Sequence, residues 1–445
     1  MKQISLATLM LSSALLATPD VSTISEVFSE AKTSGNVKYY FIQTDKDFDI
    51  GPSTSANANS IGGQLKFDTA SFYGLSGGVT FMTTNPFFLD GPVDTSIIGK
   101  DNGARGGDAT QGFSVLGEAY LSYRFNDFKA LVGRKVIKTP LIHAKEVRML
   151  PSAVSGGFIE YKITSKSKLE LSYLDKFKQR TSSEFTDMYE HALGANTKAI
   201  TGSDNGDVVV LGLALKDDAL SVKVYDYYAK DFMNSVYVDA YYSMNISNVN
   251  LKLSGQYINQ VSIGNADTNL ALASSITGGK AIGVNSVGFK LDAGFGSADF
   301  TLAYSNVLKD NESHDSLVLP WDGTPLFTNM ITSNDLFQSI YGNALKADSV
   351  YIGGSQGIKV AYKQKYDSFG LDGISSTLAY LNTSNDKFAK NQEDYNLVLA
   401  YKHSKKLSFA LKGIWVKNNS GSATNGSVTQ LKLLSQYRAI ANYKF

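Results

Sequence analysis

The chain has 445 residues, 43% of them hydrophobic and 19% charged, with 42 Lys+Arg against 41 Asp+Glu, a formal net charge of +1 and no cysteine. Near-neutrality disfavours a globally basic nucleic-acid binder, and the lack of cysteine excludes disulfide scaffolds, thiolate metal sites and Cys nucleophiles. Apart from the extreme N-terminus no apolar run approaches the ~20 residues a membrane-spanning helix needs, so a helical membrane protein is disfavoured as well.

Residues 1–17 read as a secretory signal, with Lys2 as the charged start, an apolar stretch from Ile4 to Leu16 and the small Ala17 before the cut. Export is the consequence; a short buried helix is the alternative. Residues 18–33 form a short periplasmic segment. In it Val21, Ile24, Val27, Phe28 and Ala31 share one helical face, and Thr23 with Glu26 matches a capping box.

From residue 34 to 445 the period is two. Alternating runs fall at 37–41, 65–67, 77–81, 117–125, 128–134, 159–163, 169–173, 208–215 and 220–228. They continue at 236–244, 249–258, 284–293, 300–308, 358–366, 375–381, 395–401, 407–415 and 433–445. That makes about eighteen strands and no linker, hence one all-β domain. Tight connections at 125–128, 164–168, 216–219, 245–248, 294–297, 367–373 and 403–406 alternate with long ones. The long ones are expected at 45–60, 84–112, 135–153, 178–207, 260–281, 309–349, 382–393 and 418–429. Short turns on one rim and long loops on the other mark a transmembrane antiparallel β-barrel, with turns in the periplasm and loops outside. A soluble sandwich has no reason to sort its loops by parity.

The last strand shows which face is which. Tyr437, Ala439, Ala441, Tyr443 and Phe445 share one parity, facing lipid, whereas Gln436, Arg438, Asn442 and Lys444 share the other, facing a wet lumen. An open edge in hydrocarbon leaves backbone groups unpaired at several kcal/mol each, so this strand is expected to close on the one that begins at residue 34.

Residues 358–445 hold thirteen Lys+Arg against five Asp+Glu, an excess of eight in a fifth of a nearly neutral chain. By parity Lys359, Lys363, Lys365, Lys402, Lys406 and Lys412 point to the lumen, as do Lys38, Lys66, Arg124 and Lys129 in early strands beside Asp68, Glu118 and Glu160. Like charge on one inner wall steers anionic or carboxylate-bearing solutes. The plainer reading is a wet face that carries charge anyway, with rim lysines meeting lipid phosphates.

Other motifs are weaker. Ser355 sits in a G-x-S-x-G match, but a strand follows where a nucleophile elbow needs a helix. His143, His191, His314 and His403 are dispersed without metal-ligand spacing, and His143 with Glu146 suits a loop hydrogen bond. No cofactor is expected. Asp310, Glu312, His314 and Asp315 could hold Ca2+ in an extracellular loop, although an acidic solvated tip is the commoner case. Trp321 reads as an anchor inside that loop.

The segment 133–157 is charged and carries Pro140 and Pro151, which cannot sit mid-sheet; loop parity puts it on the extracellular rim. With Gly133-Arg134, Thr139-Pro140-Leu141-Ile142, Arg148-Met149-Leu150-Pro151 and Gly156, it resembles the constriction segment of the OprD family of outer-membrane porins, in the versions found in epsilon-type bacteria. Residues 35–40, Leu319-Pro320-Trp321-Asp322 and the ending Tyr437-Arg438 to Tyr443-Lys444-Phe445 extend the resemblance over the mature chain.

That resemblance implies an 18-stranded barrel, often a homotrimer, with inward-folded third and seventh loops and passive passage of small solutes. The constriction would carry Arg134, Lys135, Lys138, Lys145, Glu146 and Arg148, and Lys359, Lys363, Lys412 and Arg438 would supply a basic ladder. The chain departs from the pattern by using Lys where better-known members use Arg, which trades a rigid bidentate fork for a flexible point charge. The reading is a passive diffusion channel with no covalent chemistry. Its partners are outer-membrane lipid, lipopolysaccharide and small solutes. A structural or adhesin barrel with a blocked lumen, or a barrel hydrolase, are the alternatives.

Overall fold

The computed structural model describes residues 20–48, 52–87, 111–144, 148–272, 277–331, 349–385, 390–418 and 431–445; the expected signal at 1–17 lies outside them. Eighteen long strands form one antiparallel sheet among these residues. The first nine are β1 (Lys32–Phe48), β2 (Thr54–Asp68), β3 (Leu75–Pro86), β4 (Phe113–Phe125), β5 (Phe128–Lys135), β6 (Ala153–Lys162), β7 (Lys168–Lys178), β8 (Val208–Lys216) and β9 (Leu220–Ala229). The second nine are β10 (Met233–Ile246), β11 (Val249–Ser262), β12 (Gly283–Phe295), β13 (Ala298–Val307), β14 (Ser355–Lys365), β15 (Ile374–Asn385), β16 (Lys390–Lys402), β17 (Leu407–Asn418) and β18 (Leu431–Lys444).

Each strand pairs with its neighbours in sequence, and β18 pairs with β1 from Asn36↔Lys444 to Phe48↔Leu431. Gly35 and Phe445 exchange backbone hydrogen bonds of 3.1 Å at the foot of this seam. The barrel is therefore closed, the arrangement that leaves no edge in hydrocarbon. Every alternating run of the sequence falls on one strand to within a residue of its end.

Parity holds on both faces. On β11 Leu253, Tyr257 and Val261 are exposed to lipid while Gln256, Ile258 and Gln260 are buried inside. On β18 Tyr437 and Tyr443 face out while Gln436 and Arg438 are buried.

Two expected long connections, 45–60 and 382–393, are overturned. The β1–β2 ladder runs up to Lys46↔Thr54, and the β15–β16 ladder up to Asn385↔Lys390. The strands outlast their hydrophobic pattern because the outward face turns polar above the hydrocarbon while pairing continues. There Asp45 accepts from Gln43 at 2.8 Å and from Ser55 at 2.7 Å, and Asn382 donates to Asn391 at 3.1 Å. On the same rim residues 230–232 alone join β9 to β10, a tight turn that neither set of expected connections included. The opposite rim keeps its short turns, with Asn126, Ser247 and Gly296 at positive φ in two-residue hairpins.

At that short-turn rim lies α1 (Ile24–Ser29), with the expected capping box formed: Glu26 donates its N–H to Thr23 Oγ1 at 3.3 Å, and its carboxylate accepts from the Thr23 N–H at 3.1 Å. Backbone hydrogen bonds from Ser22 and Thr23 hold the Glu26 carboxyl below its usual range. The helix docks through Ala70 N–H on Val27 O at 3.0 Å, which leaves Ile24 and Phe28 exposed.

Candidate pore and constriction

Residues 136–152, the third outer-rim connection, leave β5 and turn back on themselves. Thr139 donates both N–H and Oγ1 to Ile142 O at 2.9 Å, and Lys138 bridges to His143. Leu141 N–H then reaches Tyr227 Oη on β9 at 3.2 Å, whereas Lys38 Nζ on β1 donates to Arg148 O and Met149 O, both at 3.1 Å. A segment rooted between β5 and β6 that touches inward side chains of β1 and β9 has to cross the bore. Leu141, Ile142, Met149 and Leu150 are buried by that crossing.

A second inward segment follows β13. Its Val318 exchanges hydrogen bonds with Gln260 at 2.8 and 2.9 Å, Pro325 O accepts from Gln256 at 2.8 Å, and Asn329 O accepts from Lys359 Nζ at 2.7 Å. Trp321 is the anchor expected of it, buried with Nε1 donating to Met188 O at 3.1 Å and its ring edge-on to Phe232. The two segments meet where His143 N–H donates to Trp321 O at 3.1 Å and Ile142 pairs with Asp322. Gly323 lies so close to Leu141 that a Cβ there would stand 2.6 Å from the Leu141 carbonyl oxygen. These are the third and seventh outer connections, the pair whose inward course the resemblance implied.

Charge gathers where the first segment meets the late wall. Arg438, 2% exposed, donates Nε to Gln436 Oε1 at 2.7 Å and Nη1 to Tyr40 Oη at 3.3 Å. Lys412 stands opposite Arg438 in register, Arg438 reaches Tyr40 on β1, and Lys38, two residues before Tyr40 on the same face, holds the Arg148 carbonyl. Four basic residues from β1, β17, β18 and the third connection thus converge. Further along the wall Lys363 is exposed on the lumenal parity of β14, Lys365 lies two residues below it, and Lys402 is exposed at the short-turn rim. Lys359 has its ammonium on a loop carbonyl.

The early wall is mixed. Lys66 pairs with Asp68 at 3.2 Å, Tyr120 Oη donates to Asp68 at 2.7 Å, and Lys135 lies 4.9 Å from the Tyr120 ring centre. Glu118 accepts from Thr80 at 2.7 Å and from Val136 N–H at 3.0 Å, while Lys168 bridges Glu160 and Glu170 at 3.1 and 2.6 Å. Arg124 is paired in register with Lys129 near the short-turn rim.

Arg134 shares the outward parity of lipid-exposed Val132, with its guanidinium 4.4 Å from the Phe185 ring centre. Lys138 is exposed on the loop. Lys145 and Glu146, and with Glu146 the expected contact to His143, lie outside the described residues.

Sequence reasoning passed over several lumenal lysines besides Lys168. Lys223, Lys252 and Lys290 line β9, β11 and β12, with Lys223 3.9 Å from Asp239, Lys290 2.9 Å from Asp292 and Lys252 3.7 Å above the Tyr241 ring. Alternation alone would have found them, since Lys252 shares the parity of Gln256 and Gln260. They were hidden because acids on the same face cancel their charge in any regional count.

Ser355 opens β14 and accepts from Asn385 Nδ2 at 2.8 Å, in a buried strand position with no helix behind it. Asp310 accepts from Ser313 Oγ at 2.5 Å and from Glu312 N–H at 2.8 Å, contacts that hold its carboxyl below the usual range. Among the described residues no group of three or more acids and histidines is placed to hold a metal ion.

A closed, even-stranded barrel with sorted loops, two of them crossing its bore, defines an outer-membrane channel protein. The family model for outer membrane porins of the OprD family matches residues 28–440, and the chain belongs to that family. Among solved structures it is similar to Pseudomonas aeruginosa OccK8 (OprE), at TM-score 0.74 and 14% identity over 94% of this chain and 99% of that one. Pseudomonas aeruginosa OccK9 (OpdG) matches at TM-score 0.72 and 13% identity, and OpdK, solved with vanillate, at 0.69 and 14%, each over 94% of this chain and 99% of the other. At these identities the likeness is one of fold. No curated protein matches the chain in sequence.

Proposed function

We propose that this outer-membrane porin passes small hydrophilic solutes by diffusion and favours those bearing an anionic or carboxylate group. The observation that carries the reading is the convergence of Lys38, Arg148, Lys412 and Arg438 where the inward loop meets the late wall. Positive charge at a narrow, low-dielectric passage raises the local concentration of anions. Vanillate, present in the OpdK structure, is a carboxylate and fits the same chemistry. Lys38 and Lys412 offer point charges rather than forks, which suits a broad anion preference over tight recognition of one acid.

In this reading Lys135, Lys138 and Arg148 stand at the constriction, whereas Arg134, expected there from the sequence, is left out because it lies on the outward parity of β5. Lys66, Arg124, Lys359, Lys363, Lys365 and Lys402 continue the charged wall, and the working unit is a homotrimer. Single-channel recording in a planar bilayer tests it: Lys363→Glu with Lys412→Glu should lower anion selectivity, and deleting residues 138–150 should raise conductance. Unchanged selectivity and conductance in both variants would sink the proposal.

A further inference from the structure

Asp322 stands where three outer-rim connections come together. Its Oδ1 receives Arg180 Nη1 at 2.5 Å from the fourth connection, and its Oδ2 receives Ser152 Oγ at 2.6 Å from the C-terminal root of the third. Its backbone pairs with Ile142 on the same third connection, from within the seventh. The residue adopts a left-handed φ of 61°, so the chain turns sharply here, between the buried Trp321 and the Gly323 that packs on Leu141. Next to this ion pair the buried Lys178 donates to Pro151 O at 3.2 Å and to Gln179 O at 3.0 Å, which closes the grip on Pro151 and Ser152. Both carboxylate oxygens are spent on neighbouring loops, and the side chains of the pair are 16% and 9% exposed.

We propose that Asp322 is the positioning residue of the constriction, holding the root of the third connection so that Arg148 stays on the Lys38 side of the bore. This rests on the reading of that connection as the narrowing element. Breaking a buried ion pair leaves the remaining charge uncompensated. Removing either partner of a charged hydrogen bond should therefore enrich the loop-detached state about tenfold to a hundredfold.

The test records single channels of the full-length protein carrying Asp322→Asn, Arg180→Met or both, with heat-modifiable gel migration reporting that the barrel is folded. The two single variants change pore charge in opposite senses, so a purely electrostatic role would shift ion selectivity in opposite directions with steady currents. A clamp predicts the same change in both: higher mean conductance and added current flicker, with the double variant no more affected than the singles. Ser152→Ala, which leaves the ion pair in place, should give a milder version and serves if either charged variant fails to fold. Wild-type conductance and noise in a folded variant would overturn the clamp, and so would opposite conductance shifts in the two singles. A wild-type protein without conductance would instead overturn the channel reading beneath it.

Discussion

Replacing Trp321 by Ala separates the stability of the loop cluster from that of the barrel. The indole is 1% exposed, lies edge-on to Phe232 with 6.4 Å between ring centres, and supplies the donor that Met188 O accepts at 3.1 Å. Truncating a buried Trp to Ala costs about 3–5 kcal/mol through lost transfer energy and the cavity left behind. The Met188 carbonyl, left without this donor, adds to the cost. No strand pair of the ladder runs through residue 321, so the loss falls on the inward segments, which can open locally while the barrel stays shut. At 1.4 kcal/mol per tenfold, 3 kcal/mol enriches the open cluster by about two orders of magnitude. Hydrogen exchange on the folded protein in detergent reads this directly. The Leu317 amide, bonded to Tyr351 O at 2.9 Å, and the Val318 amide, bonded to Gln260 Oε1 at 2.8 Å, should exchange about a hundredfold faster, with ladder amides unchanged. Equal protection of the loop amides, or equal acceleration of ladder amides, would refute the reasoning.

Lys38→Met keeps the stem but removes the donor to Arg148 O and Met149 O. Single-channel currents should become noisier and less anion-selective, and Lys38→Arg should restore both. Gly63 has a φ of 148°, and a Cβ there would sit 1.9 Å from Asn36 O. Gly63→Val should therefore strain the β1–β2 ladder enough to abolish the folded, heat-modifiable gel band. Because Glu26 has a lowered folded pKa, its carboxylate contribution to α1 is present above the unfolded carboxylate pKa and is lost as pH falls through the folded one. An NMR titration should place the Glu26 midpoint below that of a solvent-exposed Glu, and Thr23→Ala should raise it.

The barrel was legible because lipid imposes a period of two on one face and loop parity records which rim each connection faces. Both signals live in short stretches such as 249–258, where Leu251, Leu253 and Tyr257 alternate with Lys252, Ser254 and Gln256. The signal stops where the outward face meets water. That is why Asp45 and Ser55 read as loop although they are paired strand. The inward crossing of residues 136–152 left no periodicity at all. It is written in single long-range contacts, Leu141 to Tyr227 and Lys38 to Arg148, which only family resemblance anticipated. Lys359 is a case where parity gave the right face but not the partner, since its ammonium meets the Asn329 carbonyl. Arg180 and Asp322 lie 142 residues apart in sequence, and no local pattern joins them.

The cluster around Trp321 also bears on assembly. It draws on Leu141, Met188, Phe232, Ile282 and Tyr351, residues carried by connections that start from strands as distant as β5 and β13. Contacts of such sequence separation are slow to form because the chain between them must first be closed into a loop. The β1–β18 seam, which joins Asn36 to Lys444, spans still more of the chain. An assembling chain therefore has to bring its two ends together as well as condense its loops, and neither step is local.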